Sequence, residues 1–111
     1  MKKIKEETNF QKKVYSLCRL VPKGRVTTYK EIGRALGGKG QVYRAVGVAL
    51  SKSSHSPRVP CHRVVNSNGS VGGFAHGVSK KISLLQKEGV YVRNGRVVDF
   101  DKILFKFKRF K

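Results

Sequence analysis

The segment Pro60-Cys61-His62-Arg63-Val64-Val65 places a thiol beside an imidazole and a guanidinium, between a proline and two β-branched apolar residues. A thiol reacts as its thiolate, and a pKa that starts near about 8.5 has to be lowered by a base or a positive field. His62 and Arg63 offer both. Neighbours on an extended strand point to opposite faces, so His62 reaches the Cys61 sulfur only where the backbone turns or a water bridges them. Pro60 makes a local bend credible. The plainer reading of the same residues is a buried free cysteine on a short core strand. A zinc site fits poorly, because Cys18, His55, Cys61, His62 and His76 stand at none of the usual paired spacings. No metal ligand is assigned.

The elements that must hold this segment are short. Phe10, Val14, Leu17 and Val21 recur at helical spacing behind Asn9 as N-cap, until Pro22-Lys23-Gly24 stops them. Thr28-Tyr29-Lys30-Glu31 matches a capping box, with Thr28 capping and Glu31 reaching back, and Gly37-Gly38 closes the second helix. A third runs from Gln41 to Ser51, with Ala45, Gly47 and Ala49 small enough to let a partner backbone come close. Three short helices with a glycine turn between the last two resemble a helix-turn-helix. Cys18 lies on the apolar face of the first and reads as core.

Beyond the thiol, Asn66 to Gly73 is rich in turn residues, and a fourth helix from about Val78 to Glu88 has Gly89 as its C′ residue. Asn94-Gly95 inside Tyr91 to Val98 signals a type I′ hairpin. From about residue 101 to 111 the chain is basic and aromatic, compatible with a final strand, a nucleic-acid-binding tail or an aggregation hazard. The whole of 1–111 reads as one compact domain of α/β class, largely helical with short strands and a winged-helix-like DNA-binding element.

Lysine and arginine number 25 against 6 acids, a formal charge of +19. A compact chain with that much self-repulsion suits a polyanionic partner, and nucleic acid is the first choice. No apolar run is long enough to span a bilayer, and no long basic amphipathic helix suits a membrane surface. The start, Met1 to Glu7, lacks the apolar stretch of a secretory signal. An intracellular, cytoplasmic protein with reduced thiols is expected, nuclear in a eukaryote.

Together, PCHRVV, the Tyr29 region, YRAVGVAL from Tyr43 to Leu50 and NSNGSVGGFAHGVSKKISLLQKEG resemble the C-terminal catalytic domain of the O6-alkylguanine-DNA alkyltransferases, from about Phe10 to Gly89. That resemblance implies repair of O6-alkylguanine in double-stranded DNA by a monomer that uses no cofactor and is consumed after one transfer. It makes Cys61 the alkyl acceptor, His62 the base acting through a water, Glu88 the carboxylate that orients His62, and Arg63 a support of the active-site fold. By the same resemblance Tyr29 is expected to crowd the target's phosphate and help protonate the departing guanine, and Arg44 to fill the gap left by the extruded base. Thr28, Gln41, Ala45 and Gly47 accompany them at the DNA.

Carbonyls at Cys61 and Val64 are implied to read guanine's edge, with Phe74, the Ala75 amide and Ser53 around the base. Ser53 and Ser54 depart from the family's usual Asn-Pro pair, which ties the recognition helix to the active-site strand. The larger members carry a further N-terminal domain of another fold. Two rival functions remain: an alkyltransferase-like lesion binder, although those proteins replace the cysteine, and a plain helix-turn-helix DNA-binding protein.

Overall fold

Thr8, rather than Asn9, caps the first helix in the computed structural model, which describes residues 8–38, 42–52, 59–74 and 77–107. The Thr8 hydroxyl accepts from the Gln11 amide and the Gln11 side chain accepts from the Thr8 amide, each at 3.0 Å, so the box that starts α1 (Asn9–Arg19) is complete. Val14, Tyr15 and Cys18 form its buried stripe. The Tyr15 hydroxyl donates to the Ala49 carbonyl at 2.7 Å and pins α1 to the third helix.

Thr28 ends the two-residue strand β1 (Thr27–Thr28) and caps α2 (Tyr29–Ala35), its hydroxyl accepting from the Glu31 amide at 3.0 Å. The reciprocal half of the expected box is replaced, since the Glu31 carboxylate instead meets Arg34 at 3.5 Å. At the far end Gly37 has φ +77°, and the Gly37 and Gly38 amides donate to the Arg34 and Gly33 carbonyls, the Schellman pattern that a glycine permits. α3 (Val42–Ser51) packs on α1 and α2, completing the helix-turn-helix; Gln41 lies outside the described residues.

A parallel strand pair needs a crossover connection, and here α2 and α3 supply it. β1 pairs with β2 (Val64–Val65) in the register Thr27 to Val64 and Thr28 to Val65. Successive strand residues face opposite sides, so Val64 joins the helical cluster with Val14, Cys18, Ile32, Val46 and Leu50. Val65 joins a second cluster with Val26, Val71, Leu85, Val90 and Val97. The strand pair stands between two cores and carries Tyr29 at the end of one strand and Cys61 just before the other.

α4 (Val78–Lys87) is capped by Glu88, followed by Gly89 at φ +88°. The Val90 amide returns to the Leu85 carbonyl at 2.9 Å, and both side chains are buried together. β3 (Val92–Arg93) and β4 (Arg96–Val97) form the hairpin, with Asn94 and Gly95 both at positive φ as a type I′ turn requires.

Residues 100–107 dock against the body of the chain, whereas 108–111 of the basic aromatic stretch lie outside the described residues. α5 (Phe100–Ile103) leads Leu104 into a parallel bridge with Val26, and Val26 exchanges backbone hydrogen bonds with Ile103 and Phe105. Phe107 packs on the helical cluster, so the stretch docks beside β1 as far as Phe107.

Candidate functional site

The backbone does turn at the thiol. Cys61–Arg63 is a single 3₁₀ turn, with the Arg63 amide donating to the Pro60 carbonyl at 2.9 Å before the chain extends into β2. Cys61 is half-buried and its sulfur lies 3.8 Å from the Leu50 carbonyl at the end of α3. His62 is 7% exposed.

Glu88 reaches this turn from the end of α4. Its Oε2 sits 3.0 Å from His62 Nε2, while Arg63 donates to it twice, Nε to Oε1 at 2.9 Å and Nη2 to Oε2 at 2.7 Å. The remaining Arg63 nitrogen, Nη1, donates to the Val21 carbonyl at 2.8 Å. An acid at a helix C-terminus faces the negative end of the helix dipole, so α4 itself disfavours a carboxylate there. Burial pushes the Glu88 carboxyl up as well, but hydrogen bonds from Arg63 and His62 outweigh both and hold it below its ordinary value.

Glu88 is therefore ionised and accepts only, which makes His62 Nε2 the donor and leaves Nδ1 with a free lone pair. Burial pushes the His62 imidazole below its ordinary value, partly countered by Glu88, so the ring is neutral near pH 7 and able to take a proton. Tyr29, the first residue of α2, packs against the same helical cluster as Cys61. Burial, and then the charge of Cys61, raise its phenol, which keeps its proton.

The groove over the other face of α3 is lined by Tyr29, Tyr43, Arg44, Gly47, Asn66 and Asn68, among others. Arg44 and Ala45 are exposed on α3. A Cβ built on Gly47 would meet nothing within 4 Å, so this chain's own packing does not demand glycine there.

Lysine 81 was not legible as a site residue, yet it is wholly buried. Its Nζ donates to the carbonyls of Val64 at 2.8 Å, Val71 at 2.6 Å and Gly73 at 3.0 Å, tying β2 to the segment before Phe74. Burial lowers its pKa to about 8, with Cys61 acting in the opposite direction. The signal was available: Lys81 falls within the apolar stripe of α4, four residues before Leu85. The Val64 carbonyl, expected to face guanine, thus spends one lone pair on Lys81 and keeps another. The Cys61 carbonyl likewise accepts from the Val64 amide.

The structure thus brings Cys61, His62, Arg63, Glu88 and Tyr29 to one place, with Val64 directly after the turn. Thr28 acts through its cap, and Phe74 is half-buried, its carbonyl accepting from Gly77. Ser53 and Ala75, like Ser54, His55 and His76, lie outside the described residues. Among the described residues, no three His, Cys, Asp or Glu side chains cluster as metal ligands would.

The family of the 6-O-methylguanine DNA methyltransferase DNA-binding domain matches residues 9–90. The chain belongs to this family. It is 46% identical over 91 residues to the methylated-DNA–protein-cysteine methyltransferase of Metallosphaera sedula, covering 81% of this chain and 56% of the relative. A bifunctional methyltransferase/endonuclease of Picrophilus torridus is 39% identical over 84 residues, 76% of this chain but 28% of its own. The chain therefore spans little more than half, or less, of the curated relatives it matches.

Among solved structures, S. pombe Atl1 in complex with damaged DNA containing O6-carboxymethylguanine superposes with a TM-score of 0.79 at 29% identity, covering 93% of this chain and all of Atl1. Mycobacterium tuberculosis OGT in complex with DNA gives 0.70 at 35% identity, over 75% of this chain and 51% of OGT. No helix among the described residues is long and apolar enough to cross a membrane.

Proposed function

We propose that this chain is the catalytic domain of an O6-alkylguanine-DNA alkyltransferase, moving the alkyl group of a flipped guanine in duplex DNA onto Cys61. The observation that carries this reading is a cysteine kept within a 3₁₀ turn beside a neutral histidine whose Nε2 is fixed by an ionised Glu88. A binding protein has no need of a nucleophile, base and orienter so arranged.

The Cys61 proton passes through a water to His62 Nδ1, and Glu88 stabilises the imidazolium that forms. The thiolate attacks the alkyl carbon in line; the sulfur–carbon bond forms as the carbon–O6 bond breaks. Tyr29, held protonated, gives its proton to the departing guanine and regains one from His62 through solvent. A thioether does not hand its carbon on to water, so each molecule reacts once. Extruding the base costs a few kcal/mol, and exposed Arg44 fills the vacated stack. Gly47, with open space above it, lets the DNA backbone approach α3.

Incubation with duplex carrying O6-methylguanine, followed by mass spectrometry of the Cys61 peptide, tests this directly. One added methyl is expected in the natural chain and none in Cys61→Ser, which should still bind the duplex. Arg44→Ala should transfer slowly from duplex but at near-normal rate from free O6-alkylguanine base.

A second reading, lesion binding without transfer, is favoured by the closeness of the whole chain to Atl1. Tight binding of the lesion with no methyl on Cys61 would establish it in place of the first.

A further inference from the structure

The β3–β4 hairpin takes no part in the site around Cys61, yet it is joined to residues that line the groove over α3. Asn66, Ser67 and Asn68 line that groove together with Arg44 and Gly47. The Val71 amide donates to the Gly95 carbonyl and the Val97 amide to the Gly69 carbonyl, each at 2.9 Å, so β4 pairs with this segment through an antiparallel bridge between Ser70 and Arg96. Arg96 Nη1 also donates to the Asn68 carbonyl at 2.7 Å.

Residues directly opposite on antiparallel strands share a face. Ser70 stands opposite Arg96 and Arg96 opposite Arg93, so these three side chains stand on one face, while Val71, Val97 and Val92 turn to the second core on the other. The Asn66 side-chain amide donates to Ser70 Oγ at 2.8 Å and carries the row on to the groove. Two strand spacings separate Ser70 from Arg93, about 10 Å, or the rise of about three nucleotides along one DNA strand. Tyr91, two residues before Arg93 on the same face of β3, is 60% exposed.

Like charges directly opposite on paired strands destabilise them, and nothing in the chain relieves this pair. The ion pairs among the described residues involve Arg34, His62 and Arg63, and neither hairpin arginine. Arg96 commits one of its five N–H groups, to Asn68. Folding therefore leaves two arginines and a tyrosine facing outward beside the groove, where an anion would relieve their repulsion.

We propose that the outer face of the β3–β4 hairpin is a phosphate-binding surface, on which Arg96 and Arg93 hold successive phosphodiesters of the lesion-bearing strand as it leaves the groove. Asn66 directly follows β2, which puts this row on the side where the guanine edge meets Val64. A guanidinium fork bonds a phosphate bidentately, and the Asn68 carbonyl holds the Arg96 fork in place. Phosphate contacts carry no sequence information, so the hairpin adds affinity and register rather than specificity. This surface rests on the reading that α3 lies against duplex DNA.

The test compares Arg93→Gln and Arg93→Gln/Arg96→Gln with Lys12→Gln/Lys13→Gln, which removes two exposed charges from α1, the helix packed on the buried side of α3. Fluorescence anisotropy on undamaged duplex over a range of salt gives the slope of log affinity against log salt. That slope should shrink by about 0.9 in Arg93→Gln and by about twice as much in the double hairpin variant, and stay natural in the α1 variant. Arg93→Gln should also melt no lower than the natural chain, because a repulsive pair is relieved. An unchanged slope in Arg93→Gln, or an equal loss in the α1 variant, would overturn the proposal. In a Cys61→Ser background, single neutral methylphosphonates along the O6-methylguanine strand should weaken binding at two adjacent positions, and the double hairpin variant should be indifferent at both. Sensitivity confined to the other strand, or alike on both, would overturn it as well. Reduced slopes with Cys61 of the natural chain left unmethylated would end the transfer reading and leave this surface standing. A methylated Cys61 with unchanged slopes would do the reverse.

Discussion

Lys81 is the residue whose environment departs furthest from its type. A buried ammonium costs a great deal unless its donors are met, and here three carbonyls meet all three. Lys81→Met should destabilise the fold by about 1–3 kcal/mol in urea unfolding at neutral pH, because the carbonyls of Val64, Val71 and Gly73 lose their donor. Its pKa of about 8 lies below the ordinary 10.5, so between these values the unfolded chain holds more protons and stability rises with pH. That rise should vanish in the variant.

Glu88 and His62 both lie below their ordinary values, so each makes the fold weaker in acid. Stability falls as pH drops below 6.5, where unfolded His62 takes up its proton first, and again below 4.5 as the Glu88 carboxylate is titrated. Glu88→Gln should abolish the lower step and steepen the upper one, since the carboxylate that props up His62 is gone. Thermal melting against pH checks this, and an unchanged acid limb would show that Glu88 contributes nothing through its charge.

At the scale of elements, α3 combines a helix that must be stable with a surface that, on the proposed function, admits DNA. Glycine inside a helix costs about 0.5–1 kcal/mol relative to alanine. Gly47 incurs this although a methyl group there would meet nothing in the chain. Gly47→Ala is therefore expected to raise stability by that amount and, on the proposed function, to weaken duplex binding. A variant that is stabilised and binds as before would show that nothing approaches α3 at this point.

Elements were legible where a local rule decides them. Thr28 as cap, Gly37 and Gly89 as helix stops and Asn94-Gly95 as a hairpin all rest on backbone demands that neighbouring residues reveal. The first cap was misplaced by one residue, because Asn9 and Thr8 both suit the role and only the Gln11 partner selects Thr8. Contacts between distant elements were hidden. The reach of Lys81 to β2 and the docking of Leu104 beside Val26 depend on how helices and strands pack, which no short spacing encodes.

For the whole molecule the dominant quantity is the charge of +19. Two of the acids, Glu31 and Glu88, are already paired with arginines, and Arg93 stands opposite Arg96 across the hairpin, where like charges repel. Folding gathers these cations at a cost that salt screens, whereas the release of a duplex's condensed counterions on binding is worth less as salt rises. One charge distribution thus gives two opposite salt dependences. Between about 50 and 200 mM salt, the melting temperature should rise while affinity for undamaged duplex falls steeply, by about 0.9 log units per log unit of salt for each phosphate contacted. Calorimetry and fluorescence anisotropy on the same samples measure both. A melting temperature that falls with salt would mean that the Glu88 and Glu31 pairs outweigh the general repulsion, and a flat affinity would remove phosphate contact as the basis of binding.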